Sequence, residues 1–154
     1  MRVRLDPGIV REPTWPEGVR VRTWSDQDAE SLHGLLVHGY RHGGGTVAPF
    51  HTWLQEMTTD DEFDPEVWFL AESESEAALV GAALCWSSAF VKDLVVHESW
   101  RRRGLGEALL LHVFRIFAAR GAPAVELKVQ AANRPAVRLY ERVGMRVAER
   151  LEGD

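Results

Sequence analysis

Cysteine is almost absent from this chain, because Cys85 is the only one among its 154 residues. A single cysteine cannot form an internal disulfide, and it cannot build a cysteine-based metal site. This composition suits a reducing compartment. We interpret Cys85 as a buried structural thiol.

Long apolar runs are lacking as well. No apolar segment approaches the roughly 18 residues that a membrane span requires, and residues 1–18, with three prolines, lack the apolar core of a signal peptide. We therefore predict a cytoplasmic protein with no membrane partner. The length and the absence of internal repeats favour a single domain over residues 1–154, with residues 1–18 as an N-terminal extension.

An excess of positive charge is also missing, since 18 basic residues face 23 acidic ones and the net charge is -5. A general nucleic-acid binder needs a broad basic face, so we expect no nucleic-acid partner. A metal site is not expected either. His38 and His42 are four positions apart, but no H-E-x-x-H glutamate lies between them and Gly39 interrupts the helical pattern.

Hydrophobic periodicity predicts the element order β-α-α-β-β-β-α-β-α-β, which is typical of an α/β (α+β) fold with a mixed, mostly antiparallel sheet flanked by helices. A crossover helix should make the strands at 90–96 and 124–129 parallel. The predicted strands are 19–23, 67–71, 79–86, 90–96, 124–129 and 145–151, and the predicted helices lie within 25–39, 50–57, 107–120 and 133–143.

What the chain does contain is an arginine- and glycine-rich turn. Residues 101–106 read Arg-Arg-Arg-Gly-Leu-Gly between the apolar run 94–96 and a helical pattern. Free N–H groups and the dipole at a helix start attract an anion, and glycine permits close approach and positive φ. Glu107 replaces the lysine of a P-loop, and Leu109 replaces the third glycine of a dinucleotide fingerprint. The turn therefore predicts a ligand that carries a pyrophosphate or a similar anion, although it matches neither the P-loop nor the dinucleotide motif.

From about Val19 onward, the chain resembles the GNAT superfamily of acetyl-CoA-dependent N-acetyltransferases. Arg101, Gly104 and Gly106 match the Q/R-x-x-G-x-G/A motif, and residues 133–145 resemble the N-x-x-A-x-x-L-Y-x-x-x-G-F/M segment. The resemblance implies a GNAT fold, acetyl-CoA as acetyl donor and no metal, with a small-molecule or peptide amine as acceptor.

A narrower similarity links two segments with mycothiol-synthase-like acetyltransferases. These segments are residues 63–71 and residues 100–106. Residues 130–133 read Gln-Ala-Ala-Asn, which departs from the acidic residue often found before that asparagine. The narrower similarity therefore adds a hypothesis about relatives and none about the acceptor.

The resemblance also implies which residues bind the donor. A strand edge would pair with the pantetheine arm, as in β-augmentation, and the turn would hold the pyrophosphate. Family members often have glycine where Arg102 stands and proline near Glu98. The implied binding residues are Leu94, Val95, Val96, Arg101, Arg102, Arg103, Gly104, Leu105, Gly106 and Asn133, the last of which could instead only cap its helix.

Tyr140 is the predicted catalytic acid, because a phenol with a pKa near 10 can protonate a departing thiolate. The alternative is a tyrosine packed on the apolar face of its helix. The general base is not identified by the sequence. Asp93, Glu72 and Glu126 are the candidates, and a water chain or an acceptor with a depressed pKa could replace all three. A backbone N–H near Val96 could hold the carbonyl oxygen.

These residues predict an N-acetyltransferase that works by direct attack in a ternary complex. The alternative is a non-catalytic acyl-CoA-binding regulatory module. Acceptor choice is expected to depend on the irregular segment 39–63. Whether the chain forms a homodimer is left open.

Four tryptophans are interpreted as core or rim residues rather than ligand-stacking ones: Trp53, Trp68, Trp86 and Trp100.

Overall fold

A six-stranded mixed sheet forms the centre of the fold, in a computed structural model that describes residues 1–5, 10–43 and 45–148. The strand order is β1-β6-β5-β4-β3-β2, and every neighbouring pair is antiparallel except β5 and β6. The strands are β1 (Arg2–Arg4), β2 (Val19–Thr23), β3 (Trp68–Ser73), β4 (Ala78–Trp86), β5 (Phe90–Val96) and β6 (Ala124–Leu127). The helices are α1 (Ala29–Gly39), α2 (Phe50–Thr58), α3 (Leu105–Ala119) and α4 (Arg134–Arg142).

The sheet is covered by helices on both faces. Successive residues of β3 pack into different clusters: Trp68 lies with residues of α1 and α2, whereas Phe69 lies with residues of α3. Side chains alternate across a strand, so a strand covered on both sides is apolar throughout. The predicted mixed fold with flanking helices is confirmed, as is the parallel pairing of the strands on either side of α3.

A β-bulge in β5 changes which face its side chains take. Leu84 pairs with Asp93, but the next residue of β4, Cys85, pairs with Val91, so Lys92 is an extra residue. Val91 belongs to the α3-side cluster and Val95 to the α1-side cluster, although an even spacing would otherwise place both on one face. The bulge thereby directs Asp93 toward α1.

The parallel pairing of β5 and β6 is short. It joins Phe90 with Glu126 and Val91 with Leu127, and it ends there. Beyond this point β5 continues to Val96, while residues 128–133 lead away into α4. The two strands therefore separate into a fork, and no strand of the described residues pairs with the β5 edge inside it.

Three predictions about the elements need correction. No strand was predicted within the N-terminal extension, residues 1–18, yet Arg2–Arg4 forms β1 and pairs with β6, so Val19–Thr23 is the second strand. A strand of three residues is too short to show an alternating pattern in the sequence. The predicted strand 145–151 appears, among the described residues, only as a bridge between Arg2 and Arg146, and 149–151 lie outside them. β6 ends at Leu127 rather than 129, because the fork begins there.

Candidate functional site

The fork opens a cleft of about 680 Å³. Its walls are the β5 edge, the chain after β6, α4 and the segment that follows α1. The lining residues are Gly39, Tyr40, Gly43, Gly45, Thr46, Val91, Lys92, Asp93, Leu94, Val95, Val96, Arg101, Leu127, Lys128, Val129, Gln130, Asn133, Ala136 and Tyr140. A second cavity of similar volume, between β1 and the α3–α4 layer, contains none of the predicted site residues.

The arginine–glycine turn lies at one end of the cleft and leads into α3. Arg102 and Gly104 have φ of +62° and +82°, so both adopt left-handed backbone. The Ala108 N–H donates to the Gly104 carbonyl at 3.0 Å, which makes this the first bond of the helix. The N–H groups of residues 105–107 precede it and have no intrahelical acceptor. This arrangement can bind a phosphate group.

The two glycines of the turn are needed for different reasons. Gly104 has positive φ, and a Cβ added there would meet no atom within 4 Å. At Gly106 an added Cβ would lie 3.3 Å from Leu139 Cδ2 and 3.7 Å from Val96 Cγ2. Gly104 therefore meets a conformational requirement, whereas Gly106 allows α3 to pack closely against α4 and β5.

The three arginines of the turn also differ. Arg101 lines the cleft, and its Nε donates to the Val96 carbonyl at 3.4 Å. The Arg103 guanidinium lies 4.5 Å from the centre of the Trp100 ring, a cation–π contact that directs it away from the cleft. Arg102 is exposed outside the cleft. Leu105 is buried in the core, so only its backbone can face a ligand.

The β5 edge offers backbone groups rather than polar side chains. Leu94 and Val96 are half-buried on the α3 side. Val95 is buried against α1, so closely that a Cβ added to Gly39 would lie 3.0 Å from Val95 Cγ1. Because no strand pairs with this edge on the β6 side, an extended ligand can form ladder hydrogen bonds with it.

The two predicted residues of the second motif both line the cleft. Burial raises the pKa of Tyr140 above its usual range, so the phenol stays protonated at neutral pH. The Asn133 side-chain oxygen accepts from the Ala136 N–H at 3.3 Å and thereby caps α4. Asn133 therefore caps its helix, and its amide nitrogen has no hydrogen-bond partner among the described residues.

The three carboxylate candidates for the base are separated by the fold. Glu72 accepts from Arg22 at 3.0 Å on β2, at the far side of the sheet. Glu126 accepts from Arg2 at 2.7 Å. Asp93 alone of the three lines the cleft, and it is only 8% exposed. The structure thus brings one of the three next to the predicted acid.

Tyr40 holds Asp93 from the α1 side. Its hydroxyl donates to Asp93 Oδ1 at 2.7 Å. Burial first, and then the charge of Asp93, raise the pKa of Tyr40 far above its usual range, so it remains a donor. Burial and Asp93 likewise raise the pKa of the Cys85 thiol, which confirms Cys85 as a buried thiol. Tyr40 was not predicted as a site residue, because 53 positions separate it from Asp93 and no sequence motif connects them.

Two contacts fix the end of α1 against the loop that follows β5. The His38 ring stacks on the His97 ring with centres 4.3 Å apart, and Arg41 forms an ion pair with Glu98. His42 is exposed beyond the helix. Across the described part of the chain, no group of three His, Cys, Asp or Glu residues could hold a metal ion.

The tryptophans lie outside the cleft, which confirms their interpretation as core or rim residues. Trp53, Trp68 and Trp100 are buried and Trp86 is half-buried. From the segment 39–63, in contrast, five residues up to Thr46 do line the cleft. Among the described helices, none is both long and apolar enough to cross a membrane.

Curated relatives with similar sequences are mycothiol acetyltransferases. The enzyme of Streptomyces coelicolor is 30% identical, over 86% of this chain and 44% of its own length. That of Streptomyces griseus subsp. griseus is 31% identical, over 97% of this chain and 50% of its own length. The chain therefore spans about half the length of the curated relatives it matches.

Solved structures share the fold. A GCN5-related N-acetyltransferase from Sphaerobacter thermophilus superposes with a TM-score of 0.78 and 31% identity, covering 94% of this chain and 46% of that one. AAC(6')-Iy, in complex with the bisubstrate analogue CoA-S-monomethyl-acetylneamine, has a TM-score of 0.67 and 18% identity, covering 86% of this chain and 94% of that one. Residues 29–145 match the acetyltransferase (GNAT) family model. The chain belongs to this family, whose members are acyltransferases that use acetyl-CoA.

Proposed function

We propose that this chain is an N-acetyltransferase that transfers the acetyl group of acetyl-CoA to a primary amine of a small-molecule or peptide acceptor. One observation carries the proposal: a single cleft is lined by a strand edge that no described strand pairs with, by a buried carboxylate and by a protonated phenol, and it reaches Arg101 in the turn that leads into α3. The relatives named as mycothiol acetyltransferases and the CoA-containing analogue bound by AAC(6')-Iy support it. Acetyl-CoA supplies the acetyl group as a reactive thioester.

The residues present fit this co-substrate. The N–H groups of residues 105–107 and the Arg101 side chain would hold the pyrophosphate. The edge of residues 92–96 would pair with the pantetheine arm, and the free amide nitrogen of Asn133 would bind one of its carbonyls. Each of these groups has hydrogen-bonding capacity that an extended ligand with an anionic end satisfies.

Asp93 is the proposed base. An acceptor amine reaches the protein mainly as an ammonium ion, and it must lose a proton before its nitrogen can attack. The Asp93 carboxylate accepts that proton, directly or through one water, while the hydrogen bond from Tyr40 holds Oδ1 in place. The nitrogen then forms its bond to the acetyl carbon by direct attack in a ternary complex.

Tyr140 is the proposed acid. The carbon–sulfur bond breaks as the nitrogen–carbon bond forms, and the Tyr140 hydroxyl gives its proton to the departing sulfur. The nitrogen loses a second proton as it becomes an amide, and this proton restores the Tyr140 hydroxyl directly or through one water. Its raised pKa keeps it in the protonated form that this step requires. A backbone N–H near Val96 stabilises the negative charge that develops on the carbonyl oxygen.

The Tyr140→Phe variant tests this assignment, because it removes only the hydroxyl. We expect kcat for CoA release with a responsive amine to fall by about 10²- to 10⁴-fold, with the Kd for acetyl-CoA unchanged. Arg138→Gln, exposed on the same helix, controls for disturbance of α4. Binding of acetyl-CoA without turnover of any amine by the unmodified chain would instead support the non-catalytic module.

A further inference from the structure

The chain has only two lysines, and both line the cleft. Sixteen of its 18 basic residues are arginines, and the remaining two are Lys92 and Lys128. Lys92 directly follows Val91 on β5 and Lys128 directly follows Leu127, and Val91 and Leu127 form the last pair of the parallel ladder. The backbones of both lysines therefore lie where the fork begins.

Both lysines lie on the α1 side of the sheet, which is also the side of the proposed base Asp93. Val125 and Leu127 pack in the α3-side cluster, so alternation places the Lys128 side chain on the opposite face. Lys92 is the extra residue of the bulge, and its Nζ lies 3.9 Å from Asp93 Oδ2. Asp93 in turn contacts Tyr40 at the end of α1. The two ammonium groups thus share this side of the cleft with the proposed base.

The charges at this end of the cleft do not balance. Asp93 is the one acidic residue that lines the described cleft, and two lysines line it as well. Lys92 is 45% exposed and pairs with Asp93 at 3.9 Å, whereas Lys128 forms no ion pair with any described residue. An anionic group on a ligand would therefore find Lys128 without a partner among the described residues and Lys92 only partly neutralised by Asp93. An ammonium group offers three hydrogen-bond donors to a carboxylate or phosphate.

The end of the cleft that holds the two lysines is separate from the arginine–glycine turn. Val96 is four positions beyond Lys92 on the extended strand, which is about 13 Å at the rise of a β-strand, and the turn lies beyond that. A pyrophosphate at residues 105–107 would therefore leave the lysines uncompensated. An anion bound by the lysines would lie at the other end of the cleft from this pyrophosphate, beside the proposed base Asp93.

We propose that the acceptor carries a carboxylate or phosphate group as well as its amine, with Lys92 and Lys128 holding the anion and Asp93 facing the amine. The proposal rests on the acetyltransferase function above and identifies its substrate class: amino acids, acidic peptides or phosphorylated amines.

Matched acceptor pairs test the proposal in the full chain with acetyl-CoA. One pair is an L-amino acid and its carboxamide, and the other is phosphoethanolamine and ethanolamine; the two pairs distinguish carboxylate from phosphate recognition. We expect the anionic member of one pair to be preferred. In Lys128→Gln, kcat/KM for that member should fall roughly tenfold to a hundredfold, mainly through KM, while the neutral member is unaffected. Lys128→Arg should retain part of the preference.

Arg115→Gln, on the outer face of α3, removes a cation far from the cleft and should change neither acceptor. Equal kcat/KM for both members of each pair in the unmodified chain would overturn the proposal. A weaker Kd for acetyl-CoA in Lys128→Gln would overturn it by assigning the lysine to the donor. Acetylation of Lys92 or Lys128, seen in the intact mass, would also overturn it. Absence of turnover with every amine, in contrast, would contradict the acetyltransferase function itself.

Discussion

The two ends of the cleft are built in different ways. The donor end consists of consecutive residues, 101–107, and it offers mainly backbone N–H groups at the start of α3. The acceptor end consists of side chains from three separate parts of the chain: the segment after α1, the bulge of β5 and the end of β6. The proposed phosphate site is therefore a local property of one turn, whereas the proposed acceptor site depends on the packing of the whole sheet.

Changes at the acceptor end should alter rate while donor affinity stays constant, and Asp93→Asn should do so most strongly. Asparagine keeps an oxygen that can accept the Tyr40 hydrogen bond but cannot take up the amine proton. We expect kcat to fall by about 10²- to 10⁴-fold with an unchanged Kd for acetyl-CoA, measured by CoA release and calorimetry. If Kd weakened in proportion to kcat, the two ends would not be independent.

Tyr40→Phe should have the next largest effect. It leaves Asp93 buried without its donor, which costs roughly 1.5–3 kcal/mol of stability, and kcat should fall by about tenfold or more as the base loses its orientation. Circular dichroism and denaturant unfolding check the first result, and CoA release checks the second. Unchanged kcat would show that Asp93 needs no positioning residue.

The stability difference between the unmodified chain and Tyr40→Phe should also depend on pH. The pKa of Tyr40 is higher in the folded protein than the unfolded value near 10, because burial and Asp93 disfavour the phenolate. Its contribution to stability is therefore complete below pH 10 and declines as pH rises above it. The difference in unfolding free energy between the unmodified chain and Tyr40→Phe should shrink from about pH 9 to 11. Tyr140 is present in both proteins, so its own contribution cancels in this difference.

The smallest expected effect is at the donor end. Gly104→Ala forces a side chain into left-handed backbone, which costs about 1–2 kcal/mol and displaces the start of α3. The Kd for acetyl-CoA should weaken, whereas preference between acceptors should not change. Gly34→Ala is the matched control, since Gly34 lies in α1 with free space and no positive φ, and alanine there should stabilise the helix by about 0.5–1 kcal/mol.

The sequence predicted much of the fold where periodicity is long. The limits of β5 match the prediction at both ends, and each of the four helices is present. β1 was missed because a three-residue strand is recognisable only through its partner, β6. At the site, Tyr140 and Asn133 were found through a motif, and both do line the cleft. Tyr40 and the lysine pair carry no local pattern, and they were not found.

The residues themselves determined the donor end, because a glycine with positive φ, free N–H groups and a helix start are encoded within seven consecutive positions. Only the tertiary structure decided the acceptor end. Three carboxylates had equal standing until the fold gave Glu72 and Glu126 arginine partners and the bulge turned Asp93 toward Tyr40. Burial and pairing arise between distant segments, so no local pattern of residues can encode them.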